Sequence, residues 1–162
     1  MPTKTDGPSE PRCSIARSLQ VLGERWTLLI VREAFAGRTR FADFRDSLGI
    51  ASDLLTNRLN TLVEAGVMER RPYQEAGARL RHDYHLTPAG RELTTVLAAL
   101  QQWGDANRPH EDGPSTPHRS RSSGRPVRVA FVDDGGAPVP QEDVEFVYPN
   151  AVTPARSASG DE

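Results

Sequence analysis

The side chains best suited to chemistry in this 162-residue sequence lie between Ser52 and Gly66. Wound as a helix, Leu55, Leu59, Leu62 and Val63 share an arc of about 100°, as a core-facing stripe does. Asp53, Asn57, Asn60 and Thr61 fall opposite, with Thr56 and Arg58 on the flanks. That outer face offers both donors and acceptors, the pattern that base edges require in a DNA major groove. Asn57 and Asn60 could pair with adenine, and Arg58 could reach guanine or a phosphate. Taken alone, an ordinary solvated helix face looks much the same. Asp53 points the other way, because a carboxylate suits a helix N-terminus but repels phosphate. A capping role is the preferred reading, with acceptance from cytosine N4 the alternative.

Other cations are grouped where they could hold a phosphate backbone. Arg38 and Arg40 precede the short apolar-periodic segment before Ser52. Arg70, Arg71, Arg79 and Arg81 surround a polar, glycine-containing stretch, residues 74–79, with only Glu69, Glu75 and Asp83 nearby. Contacts of that kind give affinity and salt dependence and do not select sequence; the competing reading is a mixed solvated hairpin. The single cysteine, Cys13, stands between Arg12 and Ser14 at the start of a helical segment. A helix N-terminus and neighbouring cations favour the thiolate, which would suit a redox sensor. A small residue filling a gap between subunits is the alternative.

No catalytic constellation is present in the sequence, and the expectation is that the chain is not an enzyme. His82, His85, His110 and His118 have neither a cysteine partner nor a compact acidic cluster, so no metal or cofactor is expected. One cysteine also excludes an intrachain disulfide framework. There is no phosphate-binding glycine loop and no nucleophile elbow. No apolar run approaches the ~20 residues of a membrane span, and residues 1–11 lack the apolar core of a secretory signal. A cytoplasmic location is expected.

The elements that must position these residues follow from periodicity. Ile15, Leu19 and Leu22 mark one helix closed by Gly23. Trp26, Leu29, Ile30 and Phe35 mark a second closed by Gly37. Thr39 is expected to cap a short helix carrying Phe41, Phe44 and Leu48, and Gly49-Ile50-Ala51 to turn the chain. Ser52 then caps the next helix, which Gly66 stops. Two short helices joined by such a turn form a helix-turn-helix. Val67–Tyr73 and Arg81–Leu86 read as a β-hairpin. Thr87-Pro88 opens a final helix striped with Leu93, Val96, Leu97, Leu100 and Trp103. The fold class expected is mainly α with a small β-hairpin: a winged helix-turn-helix with dimerisation helices on either side. The final stripe is longer than a domain of this size can cover, so Leu93, Val96, Leu97, Leu100 and Trp103 are assigned to a homodimer interface.

Charge follows the same division. Residues 12–109 hold 14 Arg against 11 carboxylates, while 110–162 hold 5 Arg against 9, within a net charge of -2. The expected organisation is a disordered arm, 1–11; a DNA-binding and dimerisation domain, 12–109; a flexible linker, 110–126; and an extension, 127–162. In the extension Val127–Val132 and Val144–Tyr148, separated by Asp133-Asp134-Gly135-Gly136, could pair as a small hairpin before a disordered end.

The stretch from Cys13 to Trp103 resembles the HxlR family of winged helix transcriptional regulators, relatives of the MarR type. The match is carried by Cys13-Ser14-Ile15, by Leu22-Gly23-Glu24-Arg25-Trp26-Thr27-Leu28-Leu29-Ile30 and by Arg32-Glu33. It continues through Arg40-Phe41-Ala42-Asp43-Phe44, Leu55-Thr56-Asn57-Arg58-Leu59 and Leu62-Val63-Glu64-Ala65-Gly66. Tyr84-His85-Leu86-Thr87-Pro88-Ala89-Gly90-Arg91 and Trp103-Gly104 complete it. Ser14 departs from the proline usual after this cysteine. The resemblance implies a homodimer joined through its first and last helices, which adds Ile15 and Leu19 of the first helix to the interface, and bound to an inverted repeat of double-stranded DNA; a repressor is the leading expectation for its role. Ser52, Thr56, Asn57 and Arg58 fall where the recognition helix meets DNA. Some relatives sense small electrophiles or oxidants through a cysteine placed like Cys13. A protein-interaction module with vestigial DNA contacts is the alternative function.

Overall fold

A computed structural model describes residues 12–77, 79–114 and 116–147. The expected arm at 1–11 and the disordered end of the extension lie outside the described residues. Helix α1 spans Ser14–Leu22, α2 Arg25–Phe35, α3 Phe41–Leu48 and α4 Ser52–Glu64. They are followed by strands β1, Met68–Tyr73, and β2, Arg81–Leu86, and by a 20-residue helix, α5, Pro88–Asn107. This is the expected winged helix-turn-helix order.

The core forms where the apolar stripes of α2 and α4 meet. Ile30, Val31, Phe44, Ile50, Leu55, Leu59, Leu62 and Met68 are all at most 4% exposed. Leu55, Leu59 and Leu62 are the stripe that periodicity assigns to the inner face of α4. Gly49, with φ +61°, turns the chain between α3 and α4 in the left-handed region that favours glycine. The residue after it, Ile50, plugs into the core, so the turn is anchored by burial as well as by backbone shape.

Two caps differ from expectation. The N-cap of α3 is Arg40, not Thr39, and that of α4 is Ala51, not Ser52; neither donates nor accepts a side-chain capping hydrogen bond. Asp53 likewise makes no cap bond and sits exposed in the first turn of α4, where its charge opposes the positive helix end. The reason at α3 is tertiary. Arg40 is extended because it forms an antiparallel bridge with Asp83, and the Tyr84 N–H donates to the Thr39 carbonyl at 2.7 Å. A one-residue strand therefore leads into α3, and it has no periodicity by which to be seen. Thr87, by contrast, caps α5 as expected, its Oγ1 accepting from the Gly90 N–H at 3.1 Å. Gly90 is buried, and a Cβ there would stand 2.1 Å from the Val67 carbonyl oxygen. Only glycine lets α5 lie this close to the start of β1.

The wing is a regular antiparallel pair with Met68 opposite Leu86 and Tyr73 opposite Arg81. Met68 is buried in the core and Leu86 packs against it; the described residues between the strands are exposed.

Beyond α5 the chain folds back. Phe131–Val132 (β3) pairs with Pro138–Val139 (β4), so a hairpin does form after residue 126, but its second strand is not the apolar run from Val144. Asp133 explains the earlier return. Its Oδ1 accepts from the Ala137 N–H at 2.8 Å and its N–H donates to the Ala137 carbonyl at 2.9 Å, closing the turn within five residues. Val144 to Val147 are not in a strand, and Tyr148 lies outside the described residues. Thr116, within the stretch read as a flexible linker, and Val129 in the extension are both hydrogen-bonded to α5. The Gln102 amide both donates to the Val129 carbonyl and accepts its N–H, each at 3.2 Å, and Gln101 donates to the Thr116 carbonyl.

Candidate nucleic-acid interface

Burial of the leucine stripe leaves the other face of α4 in solvent. Ser52, Asp53, Thr56 and Asn57 are exposed on it. Thr56 Oγ1 donates to the Ser52 carbonyl at 2.8 Å and Thr61 Oγ1 to the Asn57 carbonyl at 3.1 Å, which fixes both hydroxyls along the helix. The Asn57 amide has no hydrogen-bond partner among the described residues. It is a donor–acceptor pair presented to solvent on a rigid support.

Arg58 and Asn60 sit differently. Arg58 is half-buried and turned toward the N-cap of α2, pairing with Glu24 at 3.4 Å, and its Nε is buried without a partner among the described residues. Asn60 is half-buried and its side-chain Oδ1 accepts from Arg70 on β1. Both residues brace α4, one against α2 and one against the wing. The reading face as placed is therefore narrower than the sequence implied, centred on Thr56 and Asn57.

The arginines expected at a phosphate backbone fall into two groups. Arg79 and Arg81 are exposed beside the wing loop and have no ion-pair partner among the described residues. Arg40 pairs with Glu75 at 2.9 Å and lies over the Tyr73 ring, 4.9 Å from its centroid, which ties the start of α3 to the wing. Both partners of that ion pair are about half exposed, so it contributes roughly 0–1 kcal/mol and a phosphate can displace the carboxylate. Arg71 is paired with Glu69 in the same exposed manner.

Arg38 belongs to a tighter arrangement that periodicity does not reveal. Its Nη1 lies 2.8 Å from Oε2 of Glu33, a carboxylate only 7% exposed on α2. Arg32 pairs with the other oxygen at 2.7 Å, and the Ser47 hydroxyl of α3 donates to Oε2. Burial pushes the Glu33 carboxyl up, but the Ser47 hydrogen bond and the two guanidiniums outweigh it and hold the group below the usual carboxylate range. Glu33 thus fixes α3 and the residues before it relative to α2. The available signal was a carboxylate three residues after Ile30, inside the apolar register of α2.

The residues assigned to a subunit interface divide as well. Ile15 and Leu19 on α1 are 62% and 57% exposed, and α1 has no buried residue. Val96, Leu100 and Trp103 form an exposed apolar line on α5, whereas Leu93 and Leu97 pack on the domain's own core. Cys13, exposed, is the N-cap of α1 in an extended conformation. Among the described residues no group of three or more His, Cys, Asp or Glu could hold a metal ion. No helix there is long and apolar enough to cross a membrane.

Residues 21–112 match the family model described as HxlR-like helix-turn-helix. Rv3095 of Mycobacterium tuberculosis, described as an uncharacterized HTH-type transcriptional regulator, is 45% identical over 111 residues, 68% of this chain and 69% of its own length. The crystal structure of PA1607 superimposes with a TM-score of 0.72 at 40% identity, covering 84% of this chain and 94% of that one. The redox regulator HypR in its oxidized form gives 0.53 at 29% identity, covering 59% of this chain and 98% of that one.

Proposed function

This chain belongs to the HxlR-like helix-turn-helix family, and we propose that it is a sequence-specific regulator of transcription, a repressor that binds an inverted repeat of double-stranded DNA as a homodimer. One observation carries the reading. The exposed Thr56 and Asn57 side chains stand on a helix whose opposite face is locked into the core by Leu55, Leu59 and Leu62. A rigid polar face of this width is what an α-helix needs to present in a major groove. Arg79 and Arg81 on the wing, and Arg40 once released from Glu75, would supply the phosphate contacts that set register and orientation.

The dimer is supported by what the single chain leaves uncovered. A nine-residue amphipathic helix with no buried residue is not stable on its own account. Ile15 and Leu19 of α1, with Val96, Leu100 and Trp103 of α5, supply the apolar surface that a two-fold partner would cover. Such a dimer would present its two α4 helices about 34 Å apart, one turn of DNA.

Gel-shift titration of the wild-type chain on the intergenic DNA beside its own gene tests the proposal. Specific binding is expected at about 10⁻⁸ M or tighter and should resist unrelated competitor DNA. Affinity of only about 10⁻⁴–10⁻⁶ M, indifferent to sequence, would favour the protein-interaction module instead.

Cys13 is the place in this arrangement where an oxidant effector would act, since its exposed thiol heads a helix of the proposed interface. HypR, of similar fold, is a redox regulator. Oxidant should then release the wild-type chain from DNA and leave Cys13→Ser bound. Release of both, or of neither, returns Cys13 to a structural role.

A further inference from the structure

The turn at residues 118–127 brings an arginine from the extension to the edge of the helix-turn-helix domain. It is closed by the Arg119–Pro126 bridge, by the Ser120 N–H donating to the Arg125 carbonyl at 2.9 Å and by the Gly124 N–H donating to the Ser120 carbonyl at 2.8 Å. Arg121 at its tip has no hydrogen bond or ion pair among the described residues. It lines a cleft of about 300 Å³ together with Arg38, Arg71, Tyr84, His85 and Arg91. These come from the link after α2, both wing strands and the first turn of α5, so with Arg121 the cleft is assembled from five places in the chain.

Its electrostatics are one-sided. No carboxylate among the described residues lines the cleft. The acids that pair with its rim lie outside it: Glu33 with Arg38 and Glu69 with Arg71, while His85 Nε2 lies 2.9 Å from Asp83. Arg91 gives one N–H to the Leu86 carbonyl at 2.7 Å. Four guanidiniums therefore line the cleft, two of them in ion pairs, while Arg91 and Arg121 have no ion-pair partner among the described residues. Each guanidinium has five N–H donors, so spare donors remain on these lining residues after these bonds are made. Planar donor forks converging from several sides suit a compact oxyanion with several acceptor oxygens.

We propose that this cleft binds a phosphate group, and that the site is completed by Arg121 when the extension folds onto the domain. The phosphate could belong to a soluble phosphorylated compound or to the DNA backbone, and two measurements on the full-length chain separate these sources. In the first, pyrophosphate is titrated calorimetrically at low ionic strength. One-site binding is expected, weakened about tenfold in Arg121→Ala. Arg128→Ala removes an equal charge from the extension outside the cleft and should leave it unchanged. In the second, DNA affinity is measured against salt. If DNA supplies the phosphate, pyrophosphate does not bind, and Arg121→Ala reduces the slope of log K against log salt by about one while Arg128→Ala does not. This second measurement rests on the proposed DNA binding, which the wild-type gel shift tests separately. The site is overturned if Arg121→Ala changes neither quantity, or if Arg128→Ala changes either one equally.

Discussion

Between Ser14 and Asn107 eight apolar side chains, together with Thr27 and Glu33, are closed off from solvent; between His110 and Val147 no described residue is buried. The first region is organised by a leucine stripe and a buried carboxylate, the second by short turns and by two glutamines of α5. The similarities follow the same line. HypR covers 59% of this chain and nearly all of itself, about the share that residues 12–109 make up. PA1607 covers 84%, about 136 of 162 residues, which must include part of the extension. A shared DNA-reading scaffold and an addition present in some relatives are thus distinguishable by physics as well as by likeness. The scaffold determines whether the chain folds. The extension, with no buried residue among those described, should be able to change without unfolding it.

The sharpest way to break that contrast is to cut equally into both regions. Leu59→Ala empties a fully buried position in α4 and should cost about 2–5 kcal/mol in urea denaturation. Val132→Ala, at a 62% exposed position in β3, should change stability by less than about 0.5 kcal/mol. Comparable losses would show that the extension is part of one cooperative core.

A smaller effect separates buried from exposed charge. Glu33 has a carboxyl pKa below its ordinary 4.5 in the folded chain. Its stabilising contribution is therefore fully present above the unfolded value and is lost as pH falls through the lower folded value. Glu33→Gln should be less stable at neutral pH and should show a flatter decline of stability below pH 4.5. An unchanged acid limb would mean that Glu33 does not hold α3. Smaller still, and without effect on folding, Arg79→Ala and Arg81→Ala should each reduce the salt slope of DNA binding by about one. Equal affinity at all salt concentrations would place the wing away from DNA.

Much of the scaffold was legible because its elements are periodic. The stripe Leu55, Leu59, Leu62 fixed the inner face of α4, and Thr87-Pro88 marked the start of α5 correctly because the hydroxyl and the proline act locally. What escaped notice is non-local. Thr39 and Ser52 have the right chemistry for caps, yet the chain enters α3 through the Arg40–Asp83 bridge and α4 through the glycine turn. The second strand of the terminal hairpin was misplaced because hydrophobicity pointed to Val144, whereas Asp133 closes the turn at Ala137. On the candidate face, residue type identified Thr56 and Asn57. It could not show that Arg58 and Asn60 are engaged by Glu24 and Arg70, since those partners lie 34 and 10 residues away in sequence.

The central claim, that α4 reads bases through a face centred on Asn57, is tested most directly by the ratio of specific to non-specific DNA affinity in Asn57→Ala. A paired base contact is worth about 1–3 kcal/mol of discrimination, so the ratio should fall by roughly five- to 150-fold. Non-specific affinity, subunit association and thermal stability should stay at wild-type values. An unchanged ratio, with wild-type DNA binding intact, would remove Asn57 from the interface and contradict the account.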